Sequence, residues 1–251
     1  MAWNTPYTWT VGEILTAAKL QTYVSDNLAY IKAVIDLSIP NTGWVPVTGA
    51  WTYASASTIT VPTGAASIYQ KGDKIRLKQG AGYKYYYITI VADTLLTVTG
   101  GTDFTVANAA ISDMYYSKVS NPLDFPHWFA YTATPSGTGG SIGAYAETNV
   151  GAVFSVQGLT CTVSLTKTIT NKGSWSGTFQ VARPITGAES FGRGTGQGFV
   201  IPNASIATRG VIYTGTSDGY FHFLKTLDTA ELAWADLAVN DMVAINNSYR
   251  I

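Results

Sequence analysis

Apolar positions follow a helical rhythm in one stretch of the chain, near its start. Leu20, Val24, Asn27, Ile31 and Val34 fall at alternating spacings of four and three, and Tyr23, Leu28, Tyr30, Ile35 and Leu37 form a second line. Residues spaced this way share neighbouring strips of a helix, so the pattern predicts a helix over about 17–37. Thr16 stands where an N-cap belongs, before Ala17, Ala18 and Lys19, and Pro40 ends the element. Upstream, Thr10–Val11–Gly12–Glu13 has the form of a capping box. The apolar lines cover more of the circumference than a single-sided surface helix requires. The first line reads as a heptad-like seam in which Asn27 is the polar member, a residue type that sets register or strand number in coiled coils. Leu20, Val24, Asn27, Ile31 and Val34 are therefore the expected oligomer interface. The simpler alternative is a helix lying on its own β domain.

After Pro40 the period changes to two. In residues 41–122, GWVPV, WTYAS, STITVP, KIRLK, YYYITIV, TLLTVTGG and MYYSKV read as strands, with QKGDK and QGAGYK as turns. Ile75 and Leu77 alternate with Lys74, Arg76 and Lys78. Strands about ten residues apart point to a small β-barrel or sandwich. The Tyr83–Tyr87 cluster could stack a sugar or base, although alternate tyrosines more commonly divide between core and surface. NPLDFPHWF, residues 121–129, reads as a junction, stiffened by Pro122 and Pro126, with Phe125, Trp128 and Phe129 available to wedge between two bodies. TATPSGTGGSIG then reads as a polar, glycine-rich loop or linker.

From residue 141 onward the strand pattern resumes in GAVFSV, TCTVSLTKTI, GTFQVAR, GFVIP, GVIYT, GYFHFLK and DMVAIN. NKGSWSG reads as a turn carrying Trp175, and DTAELAWADL fits either a short helix or an irregular crossing. This density of strands fits a jelly-roll-like β-sandwich. The expected fold class is thus mainly β. An N-terminal helix with its arm (1–40) precedes a small β domain (41–122), a junction and linker (123–140) and a C-terminal sandwich (141–251). No fixed-period repeat is visible.

Composition narrows the function. The chain has 15 Lys+Arg against 15 Asp+Glu, and 12% charged residues is about half the usual share. Phosphate binding needs clustered cations, so no nucleic-acid partner is expected. Tyr (16), Phe (9) and Trp (7) are plentiful, and the surface must be built from short polar side chains and tyrosine. The single cysteine, Cys161, excludes an internal disulfide and alternates with Val163 and Leu165, as a buried apolar residue would. MAWNTPYTW lacks a secretory pattern and no apolar run is long enough to span a bilayer, so neither secretion nor membrane insertion is expected.

Motifs for chemistry are sparse. His127 and His222 lack ligand partners at metal spacing. A Ser–His–Asp arrangement could be drawn from His222 and Asp218, but no G-x-S-x-G elbow supports it. The four Glu are Glu13, Glu147, Glu189 and Glu231. A glycosidase pair would have to come from such residues, although loop carboxylates are mostly solvated. Gly192–Gly198, GRGTGQG, lacks the strand–loop–helix context of a phosphate loop. Asn203–Ala204–Ser205 matches a glycosylation acceptor, by chance in the absence of a secretory signal. No catalytic residue, metal or cofactor is expected.

The stretch TWTVGEILTAAKLQTYVSDNLAYIK resembles a pattern at the start of many tailed-phage structural proteins, W-x-x-G-x-x-x-T-A-A-x-L-(N/Q) followed by D-N-(L/I). Trp9, Gly12, Thr16, Ala17, Ala18, Leu20, Gln21, Asp26, Asn27 and Leu28 carry the match, with Gln21 in place of the more usual Asn. WTYASASTITVP, YQKGDKIRLKQ, KYYYITIV, LLTVTGG and NAAISDMYYS resemble segments of phage virion proteins, and TCTVSLTKTITNKGSWSGTFQV is similar to their terminal jelly rolls. The resemblance implies a non-enzymatic virion protein, a homotrimeric tail-fibre or receptor-binding component, with partners in tail, baseplate or head and a host surface glycan as possible ligand. On that reading Trp175, Tyr213, Tyr220 and His222 are the glycan-binding candidates. The alternatives are a head fibre or capsid decoration protein, a glycan-active depolymerase, and a free carbohydrate-binding module.

Overall fold

The computed structural model describes residues 4–5, 7–38, 42–141, 143–185, 196–201, 208–214, 219–224 and 232–251. The chain is mainly β, with an N-terminal helix followed by two antiparallel sheets. The helix runs through Ala17–Leu20, a π-turn at Gln21–Ser25, and Asp26–Ser38. Thr16 caps it as expected, its hydroxyl accepting from Lys19 N at 3.3 Å. Glu13 does close back on Thr10, at 3.2 Å to its N–H, but around a separate turn at Val11–Gly12 rather than at the helix start.

The first sheet contains β1 (Val45–Pro46), β2 (Thr52–Ser55), β3 (Thr58–Thr60), β4 (Lys74–Gln79), β5 (Gly82–Ala92), β6 (Leu95–Thr99) and β7 (Ser112–Ser117). Their order is β1-β7-β4-β5-β6-β3-β2. The two edge strands, β1 and β2, are successive in the chain. Trp51, Ile59, Ile75, Leu77, Tyr86, Ile88 and Leu96 pack into one core. A one-turn helix, Ala65–Ile68, closes one end. It is too short to show a period in the sequence.

The second sheet contains β8 (Phe129–Ala130), β9 (Pro135–Ser141), β10 (Ala146–Gln157), β11 (Thr160–Asn171), β12 (Ser174–Ala182), β13 (Gly196–Ile201), β14 (Thr208–Thr214), β15 (Tyr220–Leu224) and β16 (Met242–Arg250). The order is β8-β10-β11-β16-β13-β14-β15-β12-β9. Again the edge strands are successive. Tyr131 N donates to Ala152 O at 3.0 Å on one side, and Ala182 N donates to Thr134 O at 3.0 Å on the other. One segment thus joins both edges.

The glycine-rich stretch expected to be a linker is instead strand β9, paired with β12. Its glycines serve close backbone approach. At Gly140, with φ +80°, a Cβ would meet Ser174 O at 2.4 Å. Trp175, expected in a turn, lies on β12 just after the turn. DTAELAWADL contributes a 3₁₀ turn at Trp234–Asp236, preceded by Ala233, which bridges to Thr178, and followed by buried Leu237; residues 228–231 lie outside the described residues.

The two sheets share a core. Trp44 and Tyr87 from the first pack with Phe125 and Phe129 of the junction and Phe154 of the second. Phe125 and Phe129 wedge as the sequence implied, whereas Trp128 is 47% exposed. Backbone bonds tie the seam. Thr102 N donates to Ala130 O at 2.8 Å, and Ala130 N donates to Asp103 Oδ2 at 2.8 Å. Gly101 (φ +62°) leaves room for this, since a Cβ there would lie 2.0 Å from Ala130 O.

On β11, Cys161, Val163, Leu165, Lys167 and Ile169 all turn inward. Burial pushes the Cys161 thiol up to about 12, partly opposed by a hydrogen bond with Tyr249. The thiolate is the reactive species. In mildly alkaline buffer the native thiol should therefore resist a disulfide reagent, while the denatured chain reacts with one equivalent. Rapid reaction of the native protein, followed by absorbance, would contradict this burial.

Candidate functional site

The N-terminal segment folds back on its own helix. Asn4 N donates to Asn27 Oδ1 at 2.8 Å, and Asn27 Nδ2 donates to Asn4 O at 2.9 Å. The π-turn leaves carbonyls displaced from the i→i+4 ladder. Two of them are met by side chains, Thr22 O by Asn4 Nδ2 at 3.1 Å and Tyr23 O by Asn27 Nδ2 at 3.3 Å. Tyr7 stacks between Trp9 at 4.9 Å and Tyr23 at 5.0 Å. Its hydroxyl donates to Glu13 Oε1 at 2.6 Å, and Glu13 pairs with Lys19.

This clasp divides the expected seam. Asn27 is buried and its amide is occupied within the chain, so it does not line an exposed strip. Leu20, Val24 and Ile31 remain exposed at 45%, 42% and 40%, and Leu28 at 60%. Val34 lies in the helix, and its side chain is outside the described residues. The π-turn also inserts a residue between Leu20 and the later positions, so they do not follow one straight α-helical line. Among the described residues, none before Trp44 belongs to either core.

The four glycan candidates separate. Trp175 is half-buried against the second core. Tyr220 and His222 share one side of β15, and Tyr213 lies opposite His222 in the register of β14, its side chain outside the described residues. Trp175 sits at the far end of β12 from Ala182, the register partner of Tyr220. His222 is 8% exposed and Tyr220 half-buried. Among the described side chains, Trp175, Tyr220 and His222 do not form one open platform. Buried His222 is not a surface contact for a sugar.

Other polar groups have structural work. Glu147, expected on a loop, is on β10. It pairs with Lys167, which is 2% exposed, and accepts from Tyr145 Oη at 2.6 Å. The signal was in the sequence, since Lys167 occupies an inward position of the longest alternation, where a cation must find a partner. Glu189, Glu231, Asp218 and Asn203 lie outside the described residues, as does the first part of Gly192–Gly198, while Gly196–Gly198 begins strand β13. Asp124 and His127 line an open cleft of about 750 Å³ beside Gly43 and Pro122. Among the described residues no cluster of three metal-ligating side chains occurs, and no helix is long and apolar enough to cross a membrane. No protein-family model, curated protein or solved structure matches the chain.

Proposed function

We propose that this chain is a non-enzymatic structural component of a bacteriophage particle, a homotrimeric tail-fibre or receptor-binding protein assembled through its N-terminal helix. The observation that carries the reading is the apolar strip of Leu20, Val24, Leu28 and Ile31, exposed on an element of which no described side chain joins either core. Exposed apolar patches of this kind mark association surfaces. Further copies of the same helix would cover it, because its four members are all apolar and recur at near-heptad spacing.

The β units suit the outer part of such a protein. In the second sheet the run β11-β16-β13-β14 is flanked through the β10–β11 and β14–β15 hairpins by β8-β10 on one side and β15-β12-β9 on the other, with β8 and β9 successive in the chain. We read that arrangement as a jelly-roll-like sandwich. The resemblance of Trp9, Gly12, Thr16–Ala18 and Asp26–Leu28 to phage structural proteins supports placement in a virion.

Gold-labelled antibody against the chain, imaged on phage particles that carry it, tests the placement. Label at the tail is expected. Label on the head would instead make it a head fibre or decoration protein, and particles free of label would overturn the virion reading.

A further inference from the structure

On the face of the first sheet that turns toward the shared core, beside Trp44, Tyr85 and Tyr115, a guanidinium is held between aromatic rings, and its Nε has no hydrogen-bond partner among the described residues. Ile75 and Leu77 are fully buried, so Arg76, between them on β4, points the other way. Its register partners are Tyr85 on β5 and Tyr115 on β7. Arg76 Cζ lies 4.3 Å from the ring centre of Tyr115, 4.9 Å from that of Trp44 and 5.1 Å from that of Tyr83. Trp44 is itself fixed, its Nε1 donating to Leu123 O at 2.8 Å. Nε of Arg76 is buried without a hydrogen-bond partner, and Arg76 takes part in no ion pair among the described residues. Asp113 pairs with Lys78 at 3.8 Å, and Asp73 with Lys118 at 3.5 Å.

Rings over the faces of a guanidinium leave its in-plane N–H groups to other partners; of these Nε is buried without one, and the two terminal Nη groups are not among the buried unpartnered atoms. Half-buried donors without acceptors are costly, and native structures seldom keep them. What the arrangement gains is a fork whose plane is already set, so little entropy is lost when a planar anion docks. A carboxylate matches that fork through two parallel hydrogen bonds. Tyr83, 39% exposed, offers a flat apolar face beside it, and Lys78 lies on the same side of β4. β4 and β5 are interior strands of the sheet, so no free edge is present to pair a peptide backbone. A pyranose ring has no such need.

We propose that Arg76, with Tyr83 and Tyr115, is a binding site for the carboxylate of an acidic saccharide, with the sugar ring lying on Tyr83. The site belongs to the isolated chain and does not depend on the virion reading.

Calorimetric titration tests it with three probes, oligogalacturonate, a glucuronate-containing oligosaccharide and sialyllactose, each beside its methyl ester. At least one acid form should bind, with its ester at least about tenfold weaker, since the charge-assisted pair is lost. Arg76→Gln should weaken binding at least about tenfold and Arg76→Lys several-fold, and added salt should weaken it further. Tyr83→Ala changes an exposed ring, so it keeps the fold and reports on binding even if Arg76→Gln does not fold; a loss of about three- to tenfold is expected. The proposal is overturned if no acid form binds the native chain at millimolar concentration. It is equally overturned if ester and acid bind alike, if both Arg76→Lys and Tyr83→Ala bind as the native chain does, or if an aspartate-bearing peptide competes as well as the sugar.

Discussion

A chain carrying Leu20→Asp, Val24→Asp and Ile31→Asp together is expected to sediment as a single copy, with both β units still folded. Each of these side chains is more than a third exposed in the single chain, so the isolated fold loses little when they change. In an assembly each would be covered, and burying such a side chain is worth about 1.5–3 kcal/mol. Replacing it by a carboxylate both removes that gain and places like charges side by side around the axis. Because none of the three enters either core, the melting of the β units should be unchanged. Sedimentation velocity with far-ultraviolet circular dichroism checks both halves. An unchanged sedimenting mass would mean that the strip is not the association surface. The arm argues for the same surface, since the Asn4–Asn27 and Tyr7–Tyr23 contacts cover one side of the helix and leave Leu20, Val24, Leu28 and Ile31 open.

Phe129→Ala should destabilise the whole molecule by about 3–5 kcal/mol, the range for deleting a fully buried phenylalanine. Phe129 has no exposure, and its ring centre lies 5.2 Å from Tyr87, 5.4 Å from Phe125, 5.8 Å from Phe154 and 6.1 Å from Phe104. These partners come from the first sheet, the junction and the second sheet, so the cavity opens in the core that both units share. Calorimetry should show one transition moved down by about 6–20 °C, using the usual entropy of unfolding for domains of this size. Two transitions, with one unmoved, would show that the sheets melt independently.

The features legible in the sequence are those set by local pattern. Thr16 and the three–four rhythm place the helix start, and period-two alternation places β4, β5, β10, β11 and β16 within a few residues. The glycines of 135–141 misled because glycine-rich composition marks a flexible linker and a close backbone approach alike. Only pairing with β12 distinguishes them. That successive strands lie at opposite edges of each sheet is a non-local outcome, and no short window carries it. At Asn27 the spacing correctly marked a special position, but its partner, Asn4, lies 23 residues away in the arm. Arg76 shows the same limit. Alternation in KIRLK turns it away from the side of Ile75 and Leu77, but Trp44, Tyr83 and Tyr115 come from three other parts of the chain. Glu147 was legible only through Lys167, whose inward position demanded a counter-charge.

Association of copies through the N-terminal helix is measured directly by light scattering coupled to size-exclusion chromatography. The purified native chain should elute with three times the 26.8 kDa chain mass. A mass equal to one chain, at a concentration where the apolar strip would be covered, would contradict it.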